Sequence, residues 1–284
     1  MNTPFYVFMR LLPKCAASRA FGFLVRLRVP FLSAKARDIF AEHYRLNMDE
    51  AEKPLSAYPD IGSLFIRRLK PGARPVAASE IVSPVDGHLS QTGIFDSPAQ
   101  EMIQAKGKTY SLSSLLRDPV LAEKFIGGAW ATIYLAPFNY HRIHTPADGS
   151  VISAGYCPGT LWPVNAGSVE RVEGLFAINE RLTTRLRLAQ GGEALVVKVG
   201  ATNVGRIAVS YTDSLVTNIG KLPRNRARMD WAPERPIPLK KGEELGRFEM
   251  GSTVILVVDS SVLARNPGLF KSALGKDVRV GEAL

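Results

Sequence analysis

The sequence predicts a mainly β, α+β fold in which N-terminal amphipathic helices precede a folded-over β unit with two related halves. Three observations support this. From Ile81 onward, short runs rich in β-branched residues alternate with glycine-bearing turns. A five-residue turn occurs twice, as Ser83-Pro84-Val85-Asp86-Gly87 and as Thr145-Pro146-Ala147-Asp148-Gly149. Before Ile81 the pattern is helical instead, with Phe5, Phe8, Met9 and Leu12 at the spacing of one helix face.

The helical arm, residues 1–46, is also where the charge lies. The chain of 284 residues carries a formal charge of +10. Within the first 40 residues Arg10, Lys14, Arg19, Arg26, Arg28, Lys35 and Arg37 face only Asp38. Arginines interrupt every apolar stretch, including Phe21, Phe23, Leu24, Val25 and Leu27, so no run reaches the roughly 18 residues of a membrane span. A helix lying in the interface, apolar side in the acyl region and basic residues over anionic head groups, accounts for both properties. A secretory or transit peptide, or a helix that simply packs on the body, is the alternative. Against a signal peptide, no small-residue cleavage site cleanly follows the interrupted apolar stretch.

Along the rest of the chain, Leu32 to Leu46 reads as a helix, and Pro54, Pro59, Pro71 and Pro75 break the next stretch into short pieces, with one helical turn at Ser63 to Leu69. Strands are expected at Ala131 to Leu135, Val151 to Ala154, Leu195 to Gly200, Arg206 to Ser210 and Thr253 to Val258, with a helical insertion around Leu112 to Phe125. A turn at Lys241-Gly242-Glu243-Glu244-Leu245-Gly246 precedes the strand containing Gly251-Ser252-Thr253. At 46% hydrophobic the chain can bury a sizeable core, as one large domain or two small ones. The expected division is an arm, 1–46, and a body, 47–284.

Few residues are equipped for chemistry. Cys15 and Cys157 are far apart and outside any C-x-x-C pattern, which fits a reducing compartment and gives neither a disulfide framework nor a thiolate metal site. Of four histidines, His141 and His144 stand three apart in Tyr140-His141-Arg142-Ile143-His144-Thr145-Pro146. Zinc requires three or four ligands and no further His or Cys clusters nearby, so no metal is expected. Proton transfer is the natural role of such imidazoles, and hydrogen-bonded residues at a strand end the plain one. His43 reads as structural, and His88 stands near a candidate turn. An aspartate in a P-x-D-G turn caps its own backbone by default, so the duplicated pattern leaves Asp86 and Asp148 undistinguished. No nucleotide-binding, zinc-protease or nucleophile-elbow motif appears in a supporting context. Basic residues outside the arm are mixed with glutamates, so nothing beyond net charge points to nucleic acid.

Four segments, in order, carry a resemblance over nearly the whole chain: Phe65-Ile66-Arg67-Arg68-Leu69-Lys70 with Arg74-Pro75-Val76, then Ser83-Pro84-Val85-Asp86-Gly87, then Tyr140-His141-Arg142-Ile143-His144-Thr145-Pro146, then Phe248-Glu249-Met250-Gly251-Ser252-Thr253. Together they resemble the phosphatidylserine decarboxylase family, pyruvoyl-dependent enzymes made as proenzymes. Met250 stands where the family commonly has leucine, a swap of one unbranched apolar side chain for another. The resemblance implies that Asp86 is the acidic member of a self-cleavage triad, His144 its base, Ser252 the nucleophile and later the pyruvoyl group, and His141 a residue of substrate handling or decarboxylation. Asp148 has no place in that triad.

The chemistry needs these residue types. A serine hydroxyl is a poor nucleophile, so His144 would take its proton while Asp86 holds the other ring nitrogen and favours the imidazolium. Ser252 would attack the carbonyl of Gly251, and β-elimination of the resulting ester would leave a chain 1–251 and a chain 252–284 headed by the pyruvoyl group. That covalent cofactor would form a Schiff base with the substrate amine and accept the electrons left when carbon dioxide departs. Phosphatidylserine would become phosphatidylethanolamine, with His141 or His144 returning the proton. The partners expected are the anionic membrane surface, the lipid substrate and the two chains for each other. The resemblance also suggests a homodimer, and a peripheral location on the cytoplasmic face of a bacterial inner membrane. Two readings compete: a pyruvoyl-dependent decarboxylase of a soluble amino acid, separated by the basic arm, and a non-catalytic β-domain membrane adaptor, which would remain one covalent chain.

Overall fold

The computed structural model describes residues 3–97, 99–105, 107–202, 206–217, 227–249 and 252–284, with the side chains of all but Phe5 and Ser252. The arm forms α1 (Thr3–Leu11), α2 (Lys14–Leu24) and α3 (Leu32–His43), followed by a short α4 (Ile61–Phe65). The strands are β1 (Gly87–Ile94), β2 (Glu101–Ala105), β3 (Lys108–Ser111), β4 (Ala129–Leu135), β5 (Arg142–His144), β6 (Gly149–Cys157), β7 (Arg181–Leu188), β8 (Glu193–Val199), β9 (Ile207–Val209), β10 (Met229–Trp231), β11 (Ile237–Leu239), β12 (Glu244–Phe248), β13 (Ser252–Val258) and β14 (Asp277–Val278). The helical insertion is two pieces, α5 (Leu112–Leu116) and α6 (Pro119–Glu123).

The large sheet runs β10-β6-β7-β8-β13-β4-β1-β14, with β11 also on β6, and all its pairings are antiparallel. A smaller sheet is ordered β5-β12-β9, and β2 and β3 form a hairpin. β13 lies at the centre, with Val254 opposite Ile133 of β4 on one side and Lys198 of β8 on the other. Its run from Val254 to Val258 is fully buried. That explains why it reads as continuously apolar rather than alternating: both faces are covered.

The duplicated turn is built as a pair. Each copy opens a strand, β1 or β6, and each is gripped by a second segment with a glycine at φ +85°. In the first copy Gly281 N–H donates to the Ser83 carbonyl, Ser83 N–H to the Glu282 carbonyl, and Val280 N–H to Asp86 Oδ1. In the second, Gly242 N–H donates to the Thr145 carbonyl, Thr145 N–H to the Glu243 carbonyl, and Lys241 N–H to Asp148 Oδ1. The copies are laced together, because Val82 N–H donates to the Pro146 carbonyl and His144 N–H to the Pro84 carbonyl. Two related halves therefore meet at these turns.

Three expected helices shift for local reasons. The turn expected from Ser63 to Leu69 starts earlier, at Ile61, because Asp60 accepts from Ser63 N–H and makes a capping box, and Leu69 instead bridges to Ala51. The insertion splits where Arg117 turns left-handed and Asp118 caps a new helix with Pro119 in its first turn. The third helix ends at His43, where Arg45 takes a positive φ and Leu46 N–H reaches back to the Ala41 carbonyl.

The arm is docked onto the body. Met9 is buried in the main core, Tyr6 stacks on Trp162 with centroids 5.6 Å apart, and Lys14 lies 4.2 Å over the same indole. Phe8, Leu11, Phe23, Leu24, Leu32 and Phe31, the last 92% exposed, remain uncovered. Among the described residues no helix is long and apolar enough to cross a membrane. Since β13 is locked on both sides, Leu256→Ala should lower unfolding free energy by about 2–5 kcal/mol, read from the urea midpoint at unchanged slope.

Candidate functional site

Of the residues singled out from the sequence, His141 precedes β5, His144 ends it, Ser252 begins β13 and Asp86 lies in the turn before β1. In the small sheet Glu244 pairs with His144, Arg247 pairs with Arg142, and Phe248 N–H donates to the His141 carbonyl. Four residues after Phe248, Ser252 begins β13 in register with Leu135, the last residue of β4. The segment 136–140 leads from Leu135 back to His141, which faces Phe248, while His144 stands at the other end of β5, opposite Glu244. Met250 and Gly251 are outside the described residues.

His144 is largely buried and has both ring nitrogens engaged. Its Nδ1 donates to the Gly242 carbonyl at 2.7 Å, which fixes the tautomer and leaves Nε2 as the acceptor of the Tyr140 hydroxyl at 3.1 Å. Burial lowers its pKa, against the opposing Gly242 hydrogen bond and the charges of Glu244 and Asp86. The imidazole is thus a neutral base at neutral pH.

Asp86 does not hold that ring. Among the described contacts nothing joins Asp86 to His144, and the nitrogen expected to face Asp86 is occupied by Gly242. Instead Arg74 grips the buried carboxylate from both sides, Nε to Oδ1 at 3.0 Å and Nη2 to Oδ2 at 2.5 Å, while Val280 N–H donates to Oδ1 at 2.9 Å. Arg74 also pairs with Glu50 at 2.9 Å, and these two acids raise its pKa despite burial, which acts the other way. Asp86 reaches His144 only through its charge. Asp148, its counterpart in the second turn, is exposed and caps Lys241 N–H. The two aspartates share a place in the fold and differ in burial and in the arginine.

His141 is fully buried against Phe65, with centroids 3.9 Å apart. Its Nδ1 donates to the Asn139 carbonyl at 2.8 Å, and among the described residues its Nε2 has no hydrogen-bond partner. Burial drives its pKa down to about 3, with the nearby Arg67 charge acting in the same direction. The Phe65–Leu69 segment is sewn to the site by arginines: Arg142 donates to the Ile66 carbonyl at 2.9 Å and grips Glu244, and Arg67 donates to the Phe138 carbonyl at 3.2 Å. Beside β13, on the face that carries Thr253, Thr132 and Tyr134, lies a mainly apolar cavity of about 600 Å³. The hydroxyls of Thr253 and Thr132 have no partner. His88 is on its rim and pairs with Asp277 at 2.9 Å, while His43 packs edge-on against Tyr44.

Sequence reasoning missed Arg74, Tyr140 and Gly242 as parts of the site. Arg74 and Tyr140 lie inside the family motifs, and that was their only signal. Gly242 acts through its carbonyl, which no side-chain pattern marks.

The fold and site define an antiparallel β protein in which two neutral, largely buried histidines flank the short strand β5 and an aspartate–arginine pair closes the turn before β1. The chain belongs to the phosphatidylserine decarboxylase family, whose model matches residues 61–284. It is 49% identical over 281 residues to a phosphatidylserine decarboxylase proenzyme of Anaeromyxobacter sp. (strain K), covering 97% of this chain and 95% of the relative. Proteins of the same name from Myxococcus xanthus (strain DK1622) and Brevibacillus brevis (strain 47 / JCM 6285 / NBRC 100599) are 44% and 42% identical, covering 99% and 96% of this chain and 97% and 94% of the relatives.

The buried imidazoles set a pH dependence. A histidine with a folded pKa below its unfolded value near 6.5 contributes stability above pH 6.5 that is lost as pH falls towards the folded value. Thermal unfolding should therefore show stability decreasing from about pH 6.5 towards pH 3, and His141→Gln should flatten that decrease. An unchanged slope in the variant would show that His141 is not the group responsible.

Proposed function

We propose that the chain is a self-processing phosphatidylserine decarboxylase, in which Ser252 attacks the Gly251 carbonyl with His144 as base. The observation that carries this is the neutral His144, with Nδ1–H held by Gly242 and Nε2 left as an acceptor, on the strand β5 whose partner β12 ends at Phe248, four residues before Ser252. Nε2 takes the serine proton, and the Asp86 charge favours the imidazolium that forms. Tyr140, hydrogen-bonded to Nε2, keeps that lone pair directed until the serine replaces it.

The pyruvoyl group made from residue 252 supplies a ketone that binds the substrate amine and serves as electron sink for loss of carbon dioxide. The surroundings suit such a group. The cavity beside Thr253 is mainly apolar, with unpartnered hydroxyls and Gln104 on its wall, and a low dielectric favours loss of a carboxylate to give neutral carbon dioxide. The unpartnered His141 Nε2 is held neutral, so it accepts rather than donates a hydrogen bond at neutral pH, and His144, able to cycle through the imidazolium, is the better donor of the returning proton.

Exposed Phe8, Leu11, Phe23 and Phe31, with Arg10 and Lys35 also exposed, support peripheral docking on an anionic bilayer, where a diacyl substrate resides. The cytoplasmic face of a bacterial inner membrane agrees with the free cysteines.

Three measurements test this reading. Ser252→Ala should stay one chain, since alanine has neither nucleophile nor leaving group. Ser252→Cys should process slowly and then turn over at the wild-type rate per pyruvoyl group, as mass spectrometry of the 252–284 chain and a carbon dioxide assay with phosphatidylserine and free serine will show. An ordinary N-terminal serine in active wild-type protein would sink the mechanism. Asp86→Asn should accumulate precursor while Asp148→Asn still processes; normal processing in both returns Asp86 to a turn role. Replacing Phe8, Leu11, Phe23 and Phe31 by serine should weaken co-sedimentation with anionic vesicles by at least about 100-fold, at about 1.5–3 kcal/mol per buried side chain, with cleavage intact.

A further inference from the structure

Three residues before Ser252, the Glu249 carboxylate is buried among three guanidinium groups. Arg26, between α2 and α3 of the arm, is in direct contact with Oε2, and Arg206 and Arg247 bring their Nε atoms to 3.5 and 3.6 Å of the carboxylate. Arg26 is fixed in this place. Gly62 N–H donates to the Val25 carbonyl, and a Cβ on Gly62 would stand 2.8 Å from Arg26 Cγ, so the arginine stem runs over a glycine that leaves room for it. Arg206 is fixed as well, its carbonyl accepting from Glu249 N–H at 2.9 Å, and Arg247 is held in the β12 ladder.

The charges do not balance. One carboxylate faces three cations: Arg26 contacts it directly, while the buried Nε–H groups of Arg206 and Arg247, whose side chains are otherwise partly exposed, approach it without making a hydrogen bond to any of the described residues. Unpaired buried donors on a cation are costly, which makes the pair a ready receiver for a second anion. Self-cleavage produces one. As the Oγ–C bond to Gly251 forms, the peptide C–N bond breaks. Elimination then removes the Cα proton of residue 252 and breaks its Cβ–Oγ bond, so Gly251 leaves as a carboxylate carrying the electron pair. Water then replaces the nitrogen of the dehydroalanine, which departs as ammonia. A two-residue link spans at most about 7 Å, so this carboxylate forms within reach of the cluster around Glu249.

We propose that Arg206 and Arg247 receive the new C-terminal carboxylate of Gly251, holding the cut end of the large chain by charge-assisted hydrogen bonds away from the N-terminus of β13. The precursor would then carry, in its surplus of arginine, a site that is complete only after processing. This rests on the proposed cleavage between Gly251 and Ser252.

Protection of the new terminus tests it. Processed wild-type protein in detergent is treated with a carboxypeptidase, and the mass of the large chain is followed in time, with the denatured chain as the reference for unhindered trimming. Gly251 should be lost at least 10-fold more slowly from the native protein than from the denatured chain, and R206Q/R247Q should remove most of that protection at an unchanged melting temperature. If the double variant does not fold, R206Q alone, which changes the most exposed of the three arginines, should still speed trimming several-fold. Native trimming at the denatured rate, or equal protection in wild type and variants, overturns the proposal while leaving the cleavage reading in place. A large chain that never ends at Gly251 overturns both.

Discussion

The proposed cut beside Ser252 requires a fold that does not depend on the bond that breaks. Here that requirement falls on β13. Ser252 is its first residue, and from Thr253 onward the strand is paired to β4 on one side and β8 on the other. Both flanking ladders are antiparallel and the apolar run is fully buried, so the strand is held by neighbours distant in sequence rather than by the link to β12. The remainder of the tail adds to this grip. Val280, Gly281 and Glu282 bond to Asp86 and Ser83, and Val278 pairs with Gly87. The segment 252–284, the small chain of the proposed cleavage, thus supplies a hydrogen-bond donor to Asp86 as well as Ser252.

The paired turns show how one backbone device serves two ends. In each copy an aspartate accepts from a backbone N–H beside a positive-φ glycine, and that much is structural. What differs is the surroundings. Asp86 is buried with Arg74, itself tied to Glu50, and Glu50 is within 3.4 Å of Arg279 of the tail. The bidentate guanidinium and the backbone donor offset the cost of burying that carboxylate. The lacing between copies then matters for chemistry. His144 N–H bonds to Pro84, two residues before Asp86, and His144 Nδ1 bonds to Gly242 of the other turn's gripping segment. The base is suspended between the two halves.

Strands with a simple apolar pattern were legible in the sequence: β4, β6, β8, β9 and β13 fall where β-branched runs place them. β7 was not, because Arg-Leu-Thr-Thr-Arg-Leu-Arg-Leu reads as a charged surface segment. Arg181 at its start is fully buried, donating to the carbonyls of Asn179 and Ser114 at 2.9 Å and to that of Leu115, so a charged residue acts as a helix cap within the core. Lys198 in β8 is likewise buried, on Thr184 at 2.6 Å. Site residues were legible as motifs but their pairings were not. That Gly242, not Asp86, orients His144 depends on a carbonyl 98 positions away, and that Arg74 claims Asp86 depends on a break in the chain at Pro71 and Pro75 that no periodicity describes.

The arm shows the same limit from the other direction, since its charge is real but its uses are several. Lys14 is buried over Trp162, Arg37 donates to the Tyr58 carbonyl at 2.6 Å, Arg28 is within 3.4 Å of Asp60, and Arg26 reaches Glu249. These four cations are engaged by the body of the protein. The outward face is chiefly apolar, from Phe8 and Leu11 through Phe23 and Leu24 to Phe31 and Leu32. Burial of such side chains is insensitive to salt, whereas attraction of exposed cations to head groups is screened within about 10 Å at 0.1 M. Cations tied to the body, two of them buried, hold the arm in place, so less ordering entropy would oppose docking of its exposed apolar side chains. To the proposed membrane contact the basic composition would contribute in two ways: directly through the exposed arginines and lysines, and indirectly by holding the arm against the body.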